Sequence, residues 1–171
     1  MYIFITTGTF NYMRDIVLQH PNEKILFLQN FNQTTLLQEV ASTSIFREGR
    51  KYEIIDTIGS LELEGYVAMH HIPVTYEGRN IFEHTSQTIS RSIAAQKGLT
   101  AFRTLKPTKG ETYILFTQWN KESSYQAYRD STTFTEVQKL LRNDKKSNPQ
   151  KIFTGDAYTT VYTVVPIEQN E

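Results

Sequence analysis

Apolar and polar positions change period several times along the 171 residues, and each change marks an element. Tyr2-Ile3-Phe4-Ile5-Thr6 is a β-branched and aromatic run ending at Gly8, which predicts a strand. Thr9 then N-caps a helix in which Phe10, Met13, Val17 and His20 recur at helical spacing, and Pro21-Asn22 stops it. Two short strands follow, Ile25–Gln29 and Thr34–Val40, around the polar turn Asn30-Phe31-Asn32-Gln33. Ile45-Phe46 is read as a continuation of the sheet. Tyr52, Ile55 and Ile58 are three apart, so Lys51–Ile58 is read as a short helix closed by Gly59.

The second half repeats the order. Tyr66–Val74 reads as a strand. Asn80–Gln96 is the clearest helix, with Phe82, Ile89 and Ile93 on one stripe, Ile81 beside them, and Lys97-Gly98 at its end. Leu99–Leu105 and Thr112–Gln118 are strands joined through Lys106-Pro107-Thr108-Lys109-Gly110, which puts Pro and Gly at turn positions. Ser123–Arg142 is read as one long helix presenting Tyr125, Tyr128, Phe134, Val137 and Leu141. Asn143–Lys151 is polar and basic and reads as a mobile loop, and Tyr158–Val165 forms a last strand.

From residue 65 the order is β-α-β-β-α-β, the ferredoxin-like arrangement, and residues 1–64 supply most of the same thing. The expected fold class is α+β. Residues 1–64 would form an N-terminal ferredoxin-like half and residues 65–171 the second, with the two sheets packing into one α+β barrel of the dimeric α+β barrel type.

Composition narrows the function. Apolar residues make up 39% and charged residues 21%, which argues against disorder. Eighteen Lys and Arg balance eighteen Asp and Glu, so the chain carries no electrostatic footprint for nucleic acid or an acidic membrane surface. No apolar run approaches the roughly 20 residues of a membrane span, and the start of the chain lacks a signal-peptide pattern, so a cytoplasmic protein is expected. Cysteine is absent, which excludes disulfides, thiolate metal sites and a Cys nucleophile. Ten Tyr, ten Phe and one Trp suit β-strands or a flat apolar ligand. Residues 1–64 carry 5 basic and 8 acidic side chains and residues 65–171 carry 13 and 10, so an anionic ligand would favour the second half.

No G-x-G-x-x-G, Walker loop, G-x-S-x-G or H-E-x-x-H occurs. The candidate chemistry lies in histidines and aromatics. His70 and His71 are adjacent on a strand and point to opposite faces, so they cannot chelate one metal together, but either one can meet a ligand. Tyr125, Tyr128, Phe134 and Gln138 share a predicted helix. Residues 128 and 138 differ in direction by roughly 80°, so both can border one cavity. Trp119 reads as core or rim, His84 as surface, and His20 as a helix-terminal residue that suits the dipole. Arg142, Lys145, Lys146 and Lys151 form a basic loop able to reach carboxylates.

Several segments together resemble a known family. Glu77-Gly78, then Gly98-Leu99-Thr100-Ala101-Phe102-Arg103, Thr112–Trp119, Ser124-Tyr125-Gln126-Ala127-Tyr128 and Ser131–Phe134 look like the antibiotic-biosynthesis-monooxygenase domain, over about residues 65–165. Within it the likeness is to the IsdG-type haem-degrading monooxygenases. The additional first half, with Tyr52-Glu53-Ile54-Ile55-Asp56 and Gly59, is similar to the longer members, and Arg103–Tyr113 leans toward the TRAP signal-transduction proteins.

This resemblance implies a haem site in which a strand Asn hydrogen-bonds the distal ligand, a helix Trp helps distort the porphyrin, and a His ten residues later binds iron. Those positions fall on His70 or His71, on Tyr128 and on Gln138, and all three depart from the family pattern. Imidazole is a good iron ligand and a Gln amide a poor one, so one of His70 and His71 becomes the candidate ligand. Tyr125, Tyr128, Phe134 and Gln138 would line the pocket, with the Lys/Arg loop on the propionates.

The expectation is a protein that binds haem or another flat aromatic ligand. If it is an enzyme, it would be a haem-degrading monooxygenase using O₂ and a reductant. The alternative is a non-catalytic TRAP-like regulatory or stress-response protein, and a third reading is a cofactor-independent monooxygenase acting on a small aromatic. In either assembly, a monomer with an internal pseudo-dimer or a homodimer, the chain needs no nucleic acid and no membrane.

Overall fold

The computed structural model describes residues 1–142 and 151–168. The chain runs β1 (Tyr2–Gly8), α1 (Phe10–Gln19), β2 (Leu26–Gln29), β3 (Thr34–Val40), β4 (Arg50–Gly59) and β5 (Gly65–Pro73). It continues through α2 (Arg79–Ile93), β6 (Leu99–Pro107), β7 (Thr112–Trp119), α3 (Glu122–Arg129), α4 (Thr132–Leu140) and β8 (Tyr158–Val164). The strands close into one barrel in the order β1-β3-β2-β8-β5-β7-β6-β4, with antiparallel pairing throughout. The four strands before residue 65 are neighbours, as are the four after it. The two sets meet at β2–β8 and β4–β6.

The pleat sorts side chains into two layers. Ile3, Leu28, Leu37, Val67, Met69, Leu105, Ile114 and Phe116 fill the barrel. On the outer face of β5, β6 and β7, Ala68, Ile72, Phe102 and Leu115 pack against Phe82, Ile89 and Ile93 of α2 and the aromatics of α3. The stripe expected for α2 is present, although Ile81 stands outside it and is exposed. Thr9 caps α1 through its hydroxyl, which accepts from the Tyr12 amide.

Three expected elements differ. Lys51–Ile58 is not a helix; it lies within β4, paired with β1 and β6. Tyr52 and Ile54 face the barrel, the register slips between Ile54 and Asp56, and Ile55 and Ile58 turn to the outer layer. The spacing of three is therefore a period of two interrupted by a bulge residue, in a segment rich in β-branched residues. Ile45-Phe46 does not extend the sheet. Residues 41–49 are irregular, and these two side chains pack instead on the small core of Met13, Val17, Phe27 and Leu36 beneath α1. The first half thus has one helix on its outer face and lacks a second.

The segment Ser123–Arg142 is two helices, not one. Asp130-Ser131 breaks it, because the Ser131 hydroxyl accepts from the Phe134 amide and starts α4 as an N-cap. The expected mobile loop, Asn143–Lys151, lies outside the described residues except for Lys151. Among the described residues no helix is long and apolar enough to cross a membrane.

Candidate functional site

Strand alternation separates the two histidines. Val67 and Met69 point into the barrel, so His71 does too, while His70 shares the outer face with Ala68 and Ile72. His71 Nε2 lies 2.9 Å from Thr160 Oγ1, and its ring stacks on Tyr158 at 4.5 Å and 4°. Burial and the Arg50 guanidinium hold its pKa down at about 4.

His70 sits under the helices and is only 7% exposed. Its Nδ1 is 2.8 Å from Thr159 Oγ1 on β8, and its Nε2 is buried with no hydrogen-bond partner among the described residues. Burial first, then the like charges of His71 and Arg129, lower its pKa to about 4. The imidazole is therefore neutral at pH 7. In the tautomer with the proton on Nδ1, donated to Thr159 Oγ1, Nε2 keeps a lone pair.

The aromatics of that layer fill it. Trp119 stacks on Tyr128 with centroids 5.1 Å apart at 26°, Tyr125 bridges Trp119 and Tyr66 at 5.9 and 5.7 Å, and Phe134 meets Tyr128 edge-on at 5.3 Å. The Trp119 indole N–H donates to Thr117 Oγ1, which in turn donates to the Ala68 carbonyl, so the stack hides no unpaired indole. Burial raises the Tyr125 and Tyr128 phenols. The Arg129 guanidinium lies 6.0 Å from the Tyr125 ring and 5.9 Å from that of Phe134.

The structure thus brings His70, Tyr125, Tyr128 and Phe134 together and sets two of the expected residues apart. His71 is on the far face of the sheet. Gln138 is exposed on α4, where Val137 takes the buried position, so Tyr128 and Gln138 do not border one cavity. The break at Asp130-Ser131 resets the helix phase between them. An open aromatic cleft is likewise not what the layer shows: Trp119, Tyr125 and Tyr128 are all buried. Lys145 and Lys146 of the basic loop lie outside the described residues, and Arg142 and Lys151 are exposed.

Sequence reasoning missed Thr159, Arg129 and the stacking role of Trp119. The alternation of β8 carried a signal for Thr159, but only pairing with β5 places it opposite His70. Reasoning from sequence also missed the cavities. One of about 470 Å³ runs between Phe31, Tyr66, Tyr162 and Glu122 at the rim of this layer. Another of about 830 Å³ lies beside α1 in the first half.

Haem can be tested against these residues. The donor chemistry fits, since a neutral imidazole with a buried nitrogen that no described residue hydrogen-bonds is an iron ligand. Gln138 does not fit, being an amide and exposed. As it stands the layer is filled by packed rings, with Tyr128 between Trp119 and Phe134, so a porphyrin needs these side chains to move. Among the described residues no group of three His, Asp or Glu side chains could hold a bare metal ion.

Comparison with known proteins agrees with this architecture. Residues 65–140 match the antibiotic biosynthesis monooxygenase family. The chain is 28% identical over 154 residues to the haem-degrading monooxygenase of Listeria monocytogenes, covering 90% of each. It is 23% identical over 136 residues to the signal transduction protein TRAP of Staphylococcus epidermidis, covering 80% of this chain and 81% of that one. A monooxygenase-like protein from Listeria innocua superposes with a TM-score of 0.77 at 27% identity, covering 96% and 93% of the two chains. A major regulator of staphylococcal pathogenesis superposes at 0.83 with 16% identity, covering 96% and 99%, and shows a shared fold.

Proposed function

We propose that this chain, which carries an antibiotic biosynthesis monooxygenase domain over residues 65–140, binds haem or a similar flat aromatic ligand in the layer between β5 and helices α3 and α4. The carrying observation is His70 Nε2, buried and without a hydrogen-bond partner among the described residues, on the sheet face that the aromatics of α3 and α4 cover. An unpaired polar atom in an apolar layer costs stability, on the order of 1–3 kcal/mol, and a ligand that satisfies it recovers that cost.

His70 would hold the iron through Nε2 while Thr159 orients the ring through Nδ1. Tyr128 and Phe134 would have to move aside to admit the ring and would then border it. Arg129, which already faces this layer, would meet a propionate. Haem, when bound, supplies the oxygen chemistry; the chain positions it and keeps water out.

We infer binding without the ring opening of the related enzymes, because the resemblance puts the family's iron ligand at Gln138, which is an exposed amide. A second reading, a TRAP-like regulator that takes no haem, is favoured by the closed packing of Trp119, Tyr125 and Tyr128. We also read residues 1–64 as the internal counterpart of a second subunit, which predicts a monomer near 19.9 kDa in light scattering, and we place the protein in the cytoplasm.

The test is a haemin titration followed in the Soret region, then ascorbate under air. A saturable shifted band that persists, and that is lost in His70→Ala, supports the proposal. A band that bleaches overturns the non-catalytic part. No specific band overturns haem binding and leaves the regulator.

A further inference from the structure

The barrel's two halves differ in one respect. On the second half, α2 and the pair α3–α4 together cover the outer face of the sheet; on the first half, α1 is alone and the β3–β4 connection passes as irregular chain. The uncovered strip beside α1 is the cavity of about 830 Å³, within the range of small-molecule sites. It is built entirely from residues before 49, so it is independent of the haem layer.

Its chemistry is distinctive. Tyr12, Ile16 and Phe46 give it aromatic and aliphatic walls. Asp15 and Glu48 line it as well, against a single guanidinium, Arg47. The ion pairs among the described residues are Arg103–Glu39 and Lys106–Glu83, so none of these three charges is paired within 4 Å by a described residue. His20 lines it too, its Nδ1 donating to the Ile16 carbonyl at 2.8 Å. The surrounding residues 1–64 are net acidic, 5 basic against 8 acidic.

We propose that this cavity is a second binding site, for a flat organic cation: an aromatic body between Tyr12 and Phe46, with its positive nitrogen toward Asp15 and Glu48. Charge complementarity selects a cation over an anion, and the aromatic walls favour a planar one. Haem, with its anionic propionates, is the wrong charge for it.

Proflavine, a planar cation, is the probe, titrated by fluorescence against the full chain, with the anionic dye 8-anilinonaphthalene-1-sulfonate in parallel. The expected result is saturable proflavine binding that haemin does not displace and that the anionic dye does not match. Asp15→Asn and Glu48→Gln, both exposed positions, should each weaken it by up to about fivefold, and Arg47→Ala should tighten it about threefold. Ile45→Trp, which fills the cavity, should abolish it; if that variant fails to fold, the charge variants decide. Absent saturable binding, equal affinity in Asp15→Asn/Glu48→Gln, or displacement by haemin would each overturn the assignment.

Discussion

Arg103 of β6 donates its Nε proton to Glu39 Oε2 of β3 at 2.7 Å, across a barrel in which β4 and β1 stand between those strands. The guanidinium is 3% exposed and the carboxylate 25%. Nη1 also donates to the carbonyls of Ile58 and Phe102, so the buried charge is hydrogen-bonded on two sides. This contact ties the strands of residues 1–64 to those that follow. Glu39→Ala would strand a buried cation and should cost about 3 kcal/mol in urea unfolding. The double change Glu39→Leu with Arg103→Leu should cost less than the single one. Additive losses in that cycle would refute coupling.

Acid should weaken the fold through the histidines. His70 and His71 have folded pKa values near 4, lowered from the ordinary 6.5, so the unfolded chain binds their protons first as pH falls. Stability from this source is complete above about pH 6.5, declines toward pH 4 and levels off below; each histidine contributes a slope of at most about 1.4 kcal/mol per pH unit. His70→Gln should therefore lose less stability than the parent between pH 7 and pH 4.5. Equal losses would mean that His70 is not held neutral.

The stack of Trp119 on Tyr128 is the keystone of the outer layer. Tyr128→Ala removes a buried ring that also meets Tyr125 and Phe134, and should cost about 3–5 kcal/mol. Thermal unfolding of this variant, compared with an exposed change such as Gln138→Ala, checks the difference. A small effect at Tyr128 would show that α3 is loosely attached.

Gln138→His restores the residue type that the resemblance expects, at a position this structure exposes. The haemin spectrum of that variant should match the parent's, whereas His70→Ala should change it. A new ligand-field band in Gln138→His would place α4 over the ligand and move the iron away from His70.

Gly59 closes β4 at φ +65°, opposite Ala101, and a Cβ there would run into the Thr100 carbonyl oxygen. Gly59→Ala should cost on the order of 2 kcal/mol or more, from both the left-handed backbone and the clash. Denaturant midpoints would show it, and a neutral result would mean the β4–β6 end can splay open.

Much of the protein was legible along the chain because the deciding forces are local. Side-chain period two on β5 was enough to put His70 and His71 on opposite faces, and the stripe of Phe82, Ile89 and Ile93 was enough to define α2, since both follow from backbone geometry within a few residues. The Thr9 cap was readable for the same reason. What the sequence left open needed partners far away. Only pairing with β6 turns the Tyr52-Ile55-Ile58 spacing into a bulged strand. Only the layer beneath the helices decides that His70, not His71, lies on the sheet face that the α3 aromatics cover. The Ser131 cap was visible locally, but its effect, turning Gln138 to solvent while Tyr128 stays buried, depends on how α4 packs against α2 and α3. Local hydrogen bonds and sterics choose the elements; burial of surface between residues distant in sequence chooses which face each presents, and that choice made the site.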